Sequence, residues 1–512
     1  MLIAGLPNVG NPVVKFGLLF DKKVYIMSGM FDTIAAIATG MNQGGIGVIR
    51  VSGDNAITAV DSIFVPKKKG KEVRNLDSYT AAYGNVIDPT DNSIIDEVIV
   101  LVMKAPSTYT KEDVVEIDCH GGMQVMREIL HLLIKNPIDN NVDLNDESNL
   151  TVVKNNINIS KVRLARPGEF TERAFLNGRI DLSQAESVMD LISAKSEIAA
   201  KTALSQLKGS LKNKIIEIRK DLIYNIAFIE SALDDPEHYS LDGFREKLTG
   251  ILNDKVFEIK NLIQTADNGK MMKEGIQTVI LGKPNAGKSS ILNVLAGKDR
   301  AIVTDVAGTT RDTLEEFISI NGIPLNIIDT AGIRDTDDVV EKIGVDKSIS
   351  AMEQADLILY IIDSSVPLDE NDIQIMERIK DRQVIILSNK SDLKNVIDES
   401  DIRKYLNHKI IEISAKEQSG FEELYEELNH LFFDGRLSYN DEIYITNERH
   451  KQALENALSS MEMALNSIDS GMPEDFYTID LMSAYEQLGY IIGESVEDDL
   501  VNTIFREFCM GK

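Results

Sequence analysis

The chain has 512 residues, 43% of them hydrophobic, and a formal net charge of −28 at pH 7; that length accommodates roughly two to four domains. The charge excludes a surface that holds nucleic acid by its overall field, because that part of the affinity is phosphate neutralisation, so an RNA substrate would need a local basic patch or a partner protein. Two cysteines, Cys119 and Cys509, exclude a disulfide framework and fit a reducing cytoplasm, and no apolar run reaches the roughly 18 residues of a membrane span.

Residues 1–29 fit poorly with the rest of the chain. The string L-P-N-V-G-N-P at 6–12 imitates a phosphate loop, but Asn11 and Pro12 stand where a lysine and a hydroxyl residue are needed. The segment has neither the pattern of a signal peptide nor that of a transit peptide. It reads as a mis-assigned or dispensable extension, with Met30 as an alternative start. From residue 31 the pattern is β-rich, with strands expected over 46–51, 97–102 and 114–118. The last runs into Cys119-His120-Gly121-Gly122, a tight turn into a helix over 124–134. The adjacent Cys119 and His120 are not spaced as metal ligands. Residues 136–160, rich in Asn and Asp, read as an exposed loop. The charged string A-R-P-G-E-F-T-E-R-A-F-L-N-G at 165–178, with Arg179 after it, reads as a solvated loop. Residues 30–178 thus form an α+β domain.

A helical region spans 179–273. Ser183 and Glu186 have capping-box spacing, and Leu182, Ala185, Val188, Met189 and Ile192 follow on one face. Further helices are expected over 199–207 and 211–233. Helices resume over 437–512, with apolar stripes at Leu454, Leu458, Met461, Leu465 and Ile468, and at Leu481, Tyr485, Leu488 and Ile492. Such stripes form cores. Neither helical stretch is complete alone, so a single discontinuous helical domain is expected, with residues 274–436 inserted into it. The insert alternates strands (276–281, 323–328, 356–362, 383–388, 409–413) with helices, the order of a doubly wound α/β sheet that binds its ligand at the carboxyl ends of the strands.

The insert carries the chemistry. After the apolar run Val279-Ile280-Leu281 comes Gly282-x-x-x-x-Gly287-Lys288-Ser289, a P-loop in its strand–loop–helix context. Backbone N–H groups of Asn285, Ala286, Gly287, Lys288, Ser289 and Ser290 wrap a phosphate chain. The helix end favours the anion, Lys288 adds a charge, and Ser289 offers its hydroxyl to Mg²⁺. Asp329-Thr330-Ala331-Gly332 follows the next strand; Asp329 holds the Mg²⁺ shell and the N–H of Gly332 senses a γ-phosphate. The polar segment Thr304-Asp305-Val306-Ala307-Gly308-Thr309-Thr310 suits a switch, with Thr310 as the second Mg²⁺ hydroxyl. Asn389-Lys390-Ser391-Asp392 places a carboxylate against the two donors of guanine, which adenine lacks. Ser414-Ala415-Lys416 completes the base pocket. In this order the motifs specify a GTPase rather than an ATPase of the same loop. Many GTPases place Gln after D-x-x-G to orient the attacking water; here that position is Ile333. Glu341 is a candidate replacement, and a solvated helix carboxylate is its ordinary reading.

These strings, with A-R-P-G-E-F-T-E-R-A-F-L-N-G and the terminal Phe508-Cys509-Met510-Gly511-Lys512, resemble the MnmE (TrmE) family of tRNA-modification GTPases over residues 31–512 apart from 136–160. The resemblance implies an N-terminal domain that dimerises and binds 5-formyltetrahydrofolate or a related tetrahydrofolate, with Arg50, Glu116, Arg179 and Lys512 at that site. It implies K⁺-dependent GTP hydrolysis, K⁺ being held by Asn285, Thr304, Val306 and Thr309, with Glu341, Lys288 and Asn285 as the catalytic set. It also implies a homodimer, and a heterotetramer or larger assembly with MnmG (GidA), an FAD- and NADH-using partner. The two together install a carboxymethylaminomethyl-type group at C5 of the wobble uridine of certain tRNAs. Cys509 falls near the folate site, as a reactive thiol or a small packed residue. The segment 39–45 lacks the family's usual prolines, and Met510 replaces an isoleucine; both bear on the shape of the folate pocket. The alternatives are a ribosome-assembly or RNA-chaperone GTPase switch, and a folate-binding scaffold in which the GTPase is regulatory.

Overall fold

The computed structural model describes residues 32–40, 44–135, 162–298, 316–328, 355–433, 443–494, 501, 504–506, 508 and 511. The extension 1–29 and the stretch 136–160 lie outside them. By its contacts the chain forms two compact units, residues 1–179 with 502–512, and residues 180–501.

The first unit contains β1 (Ile34–Ile37), β2 (Ile46–Ser52), α1 (Ala56–Asp61), β3 (Phe64–Pro66), β4 (Thr80–Ile87), β5 (Ile94–Met103), β6 (Val114–His120), α2 (Met123–Lys135), β7 (Arg163–Leu164) and α3 (Glu169–Leu176). Its strands form one sheet in the order β3-β4-β5-β6-β2-β1-β7, antiparallel except where β7 runs parallel to β1. Alternation decides which face is covered. Val98, Val100 and Val102 of β5 point into a core shared with Met126, Ile129, Leu132 and Leu133 of α2, while Ile99 between them is exposed. The alternation in β4 runs through Ala82, Gly84 and Val86, residues too small to stand out as a stripe.

The string at 165–178 is not a solvated loop. It forms α3, and Glu169, Glu172 and Arg173 are at least nine-tenths buried. Burial is possible because each charge is paired. Arg173 reaches Asp32 at 2.7 Å, Glu112 at 3.1 Å and Glu169 at 3.1 Å; Arg163 pairs with Asp32 and Glu169; Arg166 holds Glu172 at 3.0 Å. Burial alone would raise the Glu169 pKa, but the bonds from Arg163 and the Arg166 N–H, with the Arg173 charge, hold it down at about 2. Whereas the sequence reading carries the helical domain over 437–512, the described residues 504–506, 508 and 511 group with this first unit. Phe505 and Phe508 are buried, and the Phe505 ring packs 6.2 Å from Phe175 of α3.

The second unit begins with α4 (Leu182–Ser193), α5 (Glu197–Leu207), α6 (Ser210–Asp234) and α7 (Phe244–Glu274). The cap of α4 differs from the sequence expectation. Asp181 is the N-cap and Gln184 closes the box, because both strings have the spacing and the helix starts at the earlier one. Ser183 bonds Asp181 at 2.6 Å. Glu186 is buried instead against Arg449 and His450, at 2.8 and 2.7 Å. Next come β8 (Ile276–Gly282), α8 (Lys288–Lys298), β9 (Glu316–Ile320), β10 (Ile323–Ile327), β11 (Leu357–Asp363), α9 (Glu370–Ile379), β12 (Val384–Asn389), α10 (Glu399–Arg403), β13 (Lys409–Glu412) and α11 (Phe421–Phe433). The sheet order is β13-β12-β11-β8-β10-β9. It is parallel apart from β9, and the strands read as continuous apolar runs because both faces are covered, by separate buried clusters. The last helices of the second unit are α12 (Glu448–Asp469) and α13 (Glu474–Ile492). One apolar core draws on α6 and α7 before the sheet and on α12 and α13 after it. The molecule is thus multidomain, α/β plus helical.

Candidate functional site

The phosphate-loop residues follow β8, and the apolar strand explains the loop's placement. β8 pairs with β10 and β11, so Gly282 leaves the sheet at its carboxyl edge. Asn285 has φ 64° and Gly287 φ 99°, turning the backbone into the left-handed region that suits both residues. A Cβ at Gly287 would lie 2.1 Å from Asn389 Nδ2, so only glycine fits. α8 starts at Lys288, with Ser289 and Ser290 in its first turn. The Lys288 ammonium donates to the carbonyls of Gly282 and Lys283, each at 2.8 Å, and burial lowers its pKa.

The base-loop residues emerge at the ends of β12 and β13, on the same edge. Asn389, 2% exposed, donates to the Ala286 carbonyl at 2.9 Å and accepts from the Ala415 N–H at 3.2 Å. It therefore ties the phosphate loop to the third segment. Ser391 N–H bonds Ile413 O at 3.1 Å. Asp392 accepts from the Ser414 hydroxyl at 2.7 Å and lies 3.7 Å from Lys416 Nζ. The Ser414 bond first, and the Lys416 charge with it, lower the Asp392 pKa, keeping two acceptor oxygens ionised. Sequence reasoning missed Asp363, at the end of β11. It pairs with Lys390 at 2.5 Å and accepts from Ser365. An acid closing an apolar strand at the same edge is the signal that could have found it.

The structure thus brings together residues 285–290, 389–392 and 414–416. Thr304, Asp305, Val306, Ala307, Gly308, Thr309, Thr310, Asp329, Thr330, Ala331, Gly332, Ile333 and Glu341 lie outside the described residues.

A second cluster forms in the first unit. Register places Arg50 of β2 opposite Glu116 of β6, and Arg50 Nε and Nη2 each lie 2.8 Å from Glu116 Oε1. Arg50 Nη1 donates to the Gly511 carbonyl at 3.3 Å, and its guanidinium is 5.7 Å from the Phe170 ring centre. Arg179 sits 4.7 Å from the centre of the Tyr109 ring and donates to the Tyr109 carbonyl at 3.0 Å. Tyr109 shares a 2.9 Å hydrogen bond with Thr171. Burial raises its pKa, against that bond and the charges of Arg179 and Arg50. Tyr109 and Phe170 are the aromatic part of this cluster, unmarked in the sequence. Lys512, Cys509 and Met510 lie outside the described residues. Cys119 is buried, its thiol bonded to Gly47 O at 3.3 Å and pushed up to about 11 by burial. Among the described residues no group of His, Cys, Asp and Glu has the arrangement of a metal site, and no helix is long and apolar enough to cross a membrane.

The family model described as "MnmE helical domain" matches residues 182–509, and "GTP-binding protein TrmE N-terminus" matches 33–179. The chain is 52% identical over 481 residues to the tRNA modification GTPase MnmE of Lachnoclostridium phytofermentans, covering 94% of this chain and 99% of that one. It is 47% identical over 486 residues to the protein of the same name from Clostridioides difficile, with 94% and 99% covered. A solved chain, the G domain of the T. maritima FeoB iron transporter, is 27% identical over 30% of this chain and 94% of its own, with a TM-score of 0.23, too low to compare the folds.

Proposed function

We propose a function that starts from family membership: this chain belongs to the MnmE family of tRNA modification GTPases. It is a GTP hydrolase of tRNA modification. Its substrate nucleotide lies across the carboxyl edge of the second unit's sheet, the phosphates against Asn285, Ala286, Gly287, Lys288, Ser289 and Ser290, the guanine against Asn389, Lys390, Asp392 and Ser414–Lys416. The observation that carries this reading is the Asn389 bridge, which joins the base loop to the phosphate loop at 2.9 Å and to the 414–416 segment at 3.2 Å.

Lys288, drawn onto two carbonyls, exchanges them for phosphate oxygens, and the lowered pKa that burial imposes is offset by the phosphate charge. Ser289 and Thr310 would hold Mg²⁺, and Asn285 with Thr304, Val306 and Thr309 would hold K⁺; bound there, the cations offset charge developing on the phosphates. Glu341 orients the attacking water in place of the glutamine that Ile333 supplants.

The first-unit cluster is the proposed site of a formyltetrahydrofolate-type one-carbon donor. A pterin offers amino N–H groups to a carboxylate, and its glutamate tail needs cations. Glu116 supplies the first, Arg50, Arg179 and Lys512 the second, and Tyr109 and Phe170 add ring faces. The chain acts as a homodimer in the cytoplasm with an FAD- and NADH-using flavoprotein partner, and drives a C5 modification, of carboxymethylaminomethyl type, on the wobble uridine of certain tRNAs. The test is nucleoside analysis of tRNA incubated with the purified protein, its flavoprotein partner, GTP, a formyltetrahydrofolate as carbon donor, glycine as the amine that supplies the rest of the group, and NADH as reductant. New C5-substituted uridine that depends on GTP is expected; unmodified uridine with active GTP hydrolysis would refute the tRNA reading.

A further inference from the structure

The connection from β11 to α9, residues 363–372, carries carboxylates at both ends that none of the nucleotide motifs includes. At its start, Asp363 is 9% exposed and holds the Lys390 ammonium at 2.5 Å. Its other oxygen accepts from the Ser365 N–H at 3.0 Å and hydroxyl at 2.6 Å. The neighbouring backbone joins the same loop: Ser364 N–H bonds Asn389 O at 3.0 Å, and Val396 N–H bonds Ser364 O at 2.8 Å.

At its far end, Asp369 is the N-cap of α9 and Asp372 completes the capping box. Asp372 is 1% exposed. It holds Lys283 Nζ at 2.6 Å and accepts from the Tyr360 hydroxyl at 3.2 Å and the Asp369 N–H at 3.1 Å. Asp369 adds a second contact to Lys283 at 3.0 Å. Lys283 is the second residue of the phosphate loop, and its carbonyl is one of the two that receive Lys288 Nζ. Cutting one partner from so buried a carboxylate leaves an uncompensated charge, so the pair resists opening. Burial lowers the Lys283 pKa and is outweighed by its bonds to Asp372 and Asp369, which raise it.

We propose that residues 363–372 are a brace that sets the base loop and the phosphate loop at the spacing of one guanine nucleotide, Asp363 positioning Lys390 and Asp372 positioning Lys283. The proposal rests on the assignment of residues 285–290 and 389–392 to that nucleotide, with Lys283 outside the contacts to it. Asp363 and Asp372 act through these lysines and touch no reacting atom.

The experiment is stopped-flow dissociation of a fluorescent GDP from the full chain, with thermal melting of the nucleotide-free protein in parallel. Asp363→Asn and Lys283→Met should release GDP roughly tenfold faster or more, the scale of one charged hydrogen bond. Lys283→Arg, which keeps the pair, should stay within about threefold of the parent, a difference under about 1 kcal/mol. A merely structural role would lower the melting temperature and leave the release rate of the folded protein alone. Release rates within about twofold of the parent in both folded variants would overturn the brace, being smaller than the loss of a net hydrogen bond. A parent chain that holds no guanine nucleotide would overturn the site assignment itself, and the brace with it.

Discussion

Asp392 presents two oxygens that Ser414 and Lys416 keep ionised and oriented. Guanine recognition asks for two acceptors side by side, and Asp392→Asn replaces one by a donor. GTP affinity should then fall by roughly tenfold or more, with preference moving to xanthosine triphosphate, whose ring offers an acceptor where guanine has its amino group. Competition binding with the two nucleotides reads this directly, and an unchanged GTP affinity would remove Asp392 from the base pocket. Gly287 makes a sharper case, because its backbone lies at φ 99° and its missing Cβ leaves the space that Asn389 occupies. Gly287→Ala should abolish GTP binding by displacing Asn389 while the rest of the sheet still folds, visible as normal circular dichroism with no nucleotide retained on a filter.

Among the elements, α3 shows how a polar string becomes interior. Glu169 falls from its ordinary 4.5 to about 2, so its pairing contributes stability that is complete above pH 4.5 and is lost as pH falls toward 2. Denaturant unfolding followed between pH 7 and pH 3 should show that loss in the first unit, and Glu169→Gln should flatten it while costing roughly 3 kcal/mol at neutral pH. An unaltered pH slope in that variant would show that the network is not what holds α3 inside. Along α7, Gly269 lets the returning chain lie against the helix: a Cβ there would sit 2.1 Å from Ile445 O, next to the bond from Ile445 N–H to Thr265 at 3.2 Å. Gly269→Ala should destabilise the second unit by about 1–3 kcal/mol, the usual cost of overpacking, measurable as a lowered denaturant midpoint.

For the molecule as a whole, the proposed ion and the proposed water-positioning carboxylate act on different parts of the transition state, and so should separate experimentally. Hydrolysis is expected to be faster in K⁺ than in Na⁺ if the site proposed at Asn285 and the 304–309 segment is built for the larger ion, because Na⁺ prefers shorter contacts. Glu341→Ala should still bind GTP yet lose turnover by roughly 10²-fold or more, the scale of a positioned proton-transfer group, whereas Asn285→Ala should lose the K⁺ response. Equal rates in the two salts, or full turnover in Glu341→Ala, would remove this mechanism. The charge of −28 bears on tRNA binding: it leaves that binding to a local patch or to the proposed flavoprotein partner, so modification should require the proposed partner even where GTP hydrolysis does not.

That 285–290, 389–392 and 414–416 converge at one sheet edge was legible in residue order alone, because strand, glycine loop and helix are contiguous and their geometry is local. So were the helical cores, since stripes such as Leu454, Met461 and Ile468 repeat at the helical period and are buried. Strands β3 and β4 were not, one being three residues long and the other lined by Ala82 and Gly84. That Arg173 is interior depends on the folded chain, since its partner Asp32 lies 141 positions away. The same holds for Tyr109 beside Arg179, and for Asp363 and Asp372 as anchors of lysines 27 and 89 positions distant (390 − 363; 372 − 283). A lone charge in a sequence reads as solvated, because water is its default partner; whether another charge replaces that water is a property of the fold, in which residues far apart in order are brought within hydrogen-bond distance.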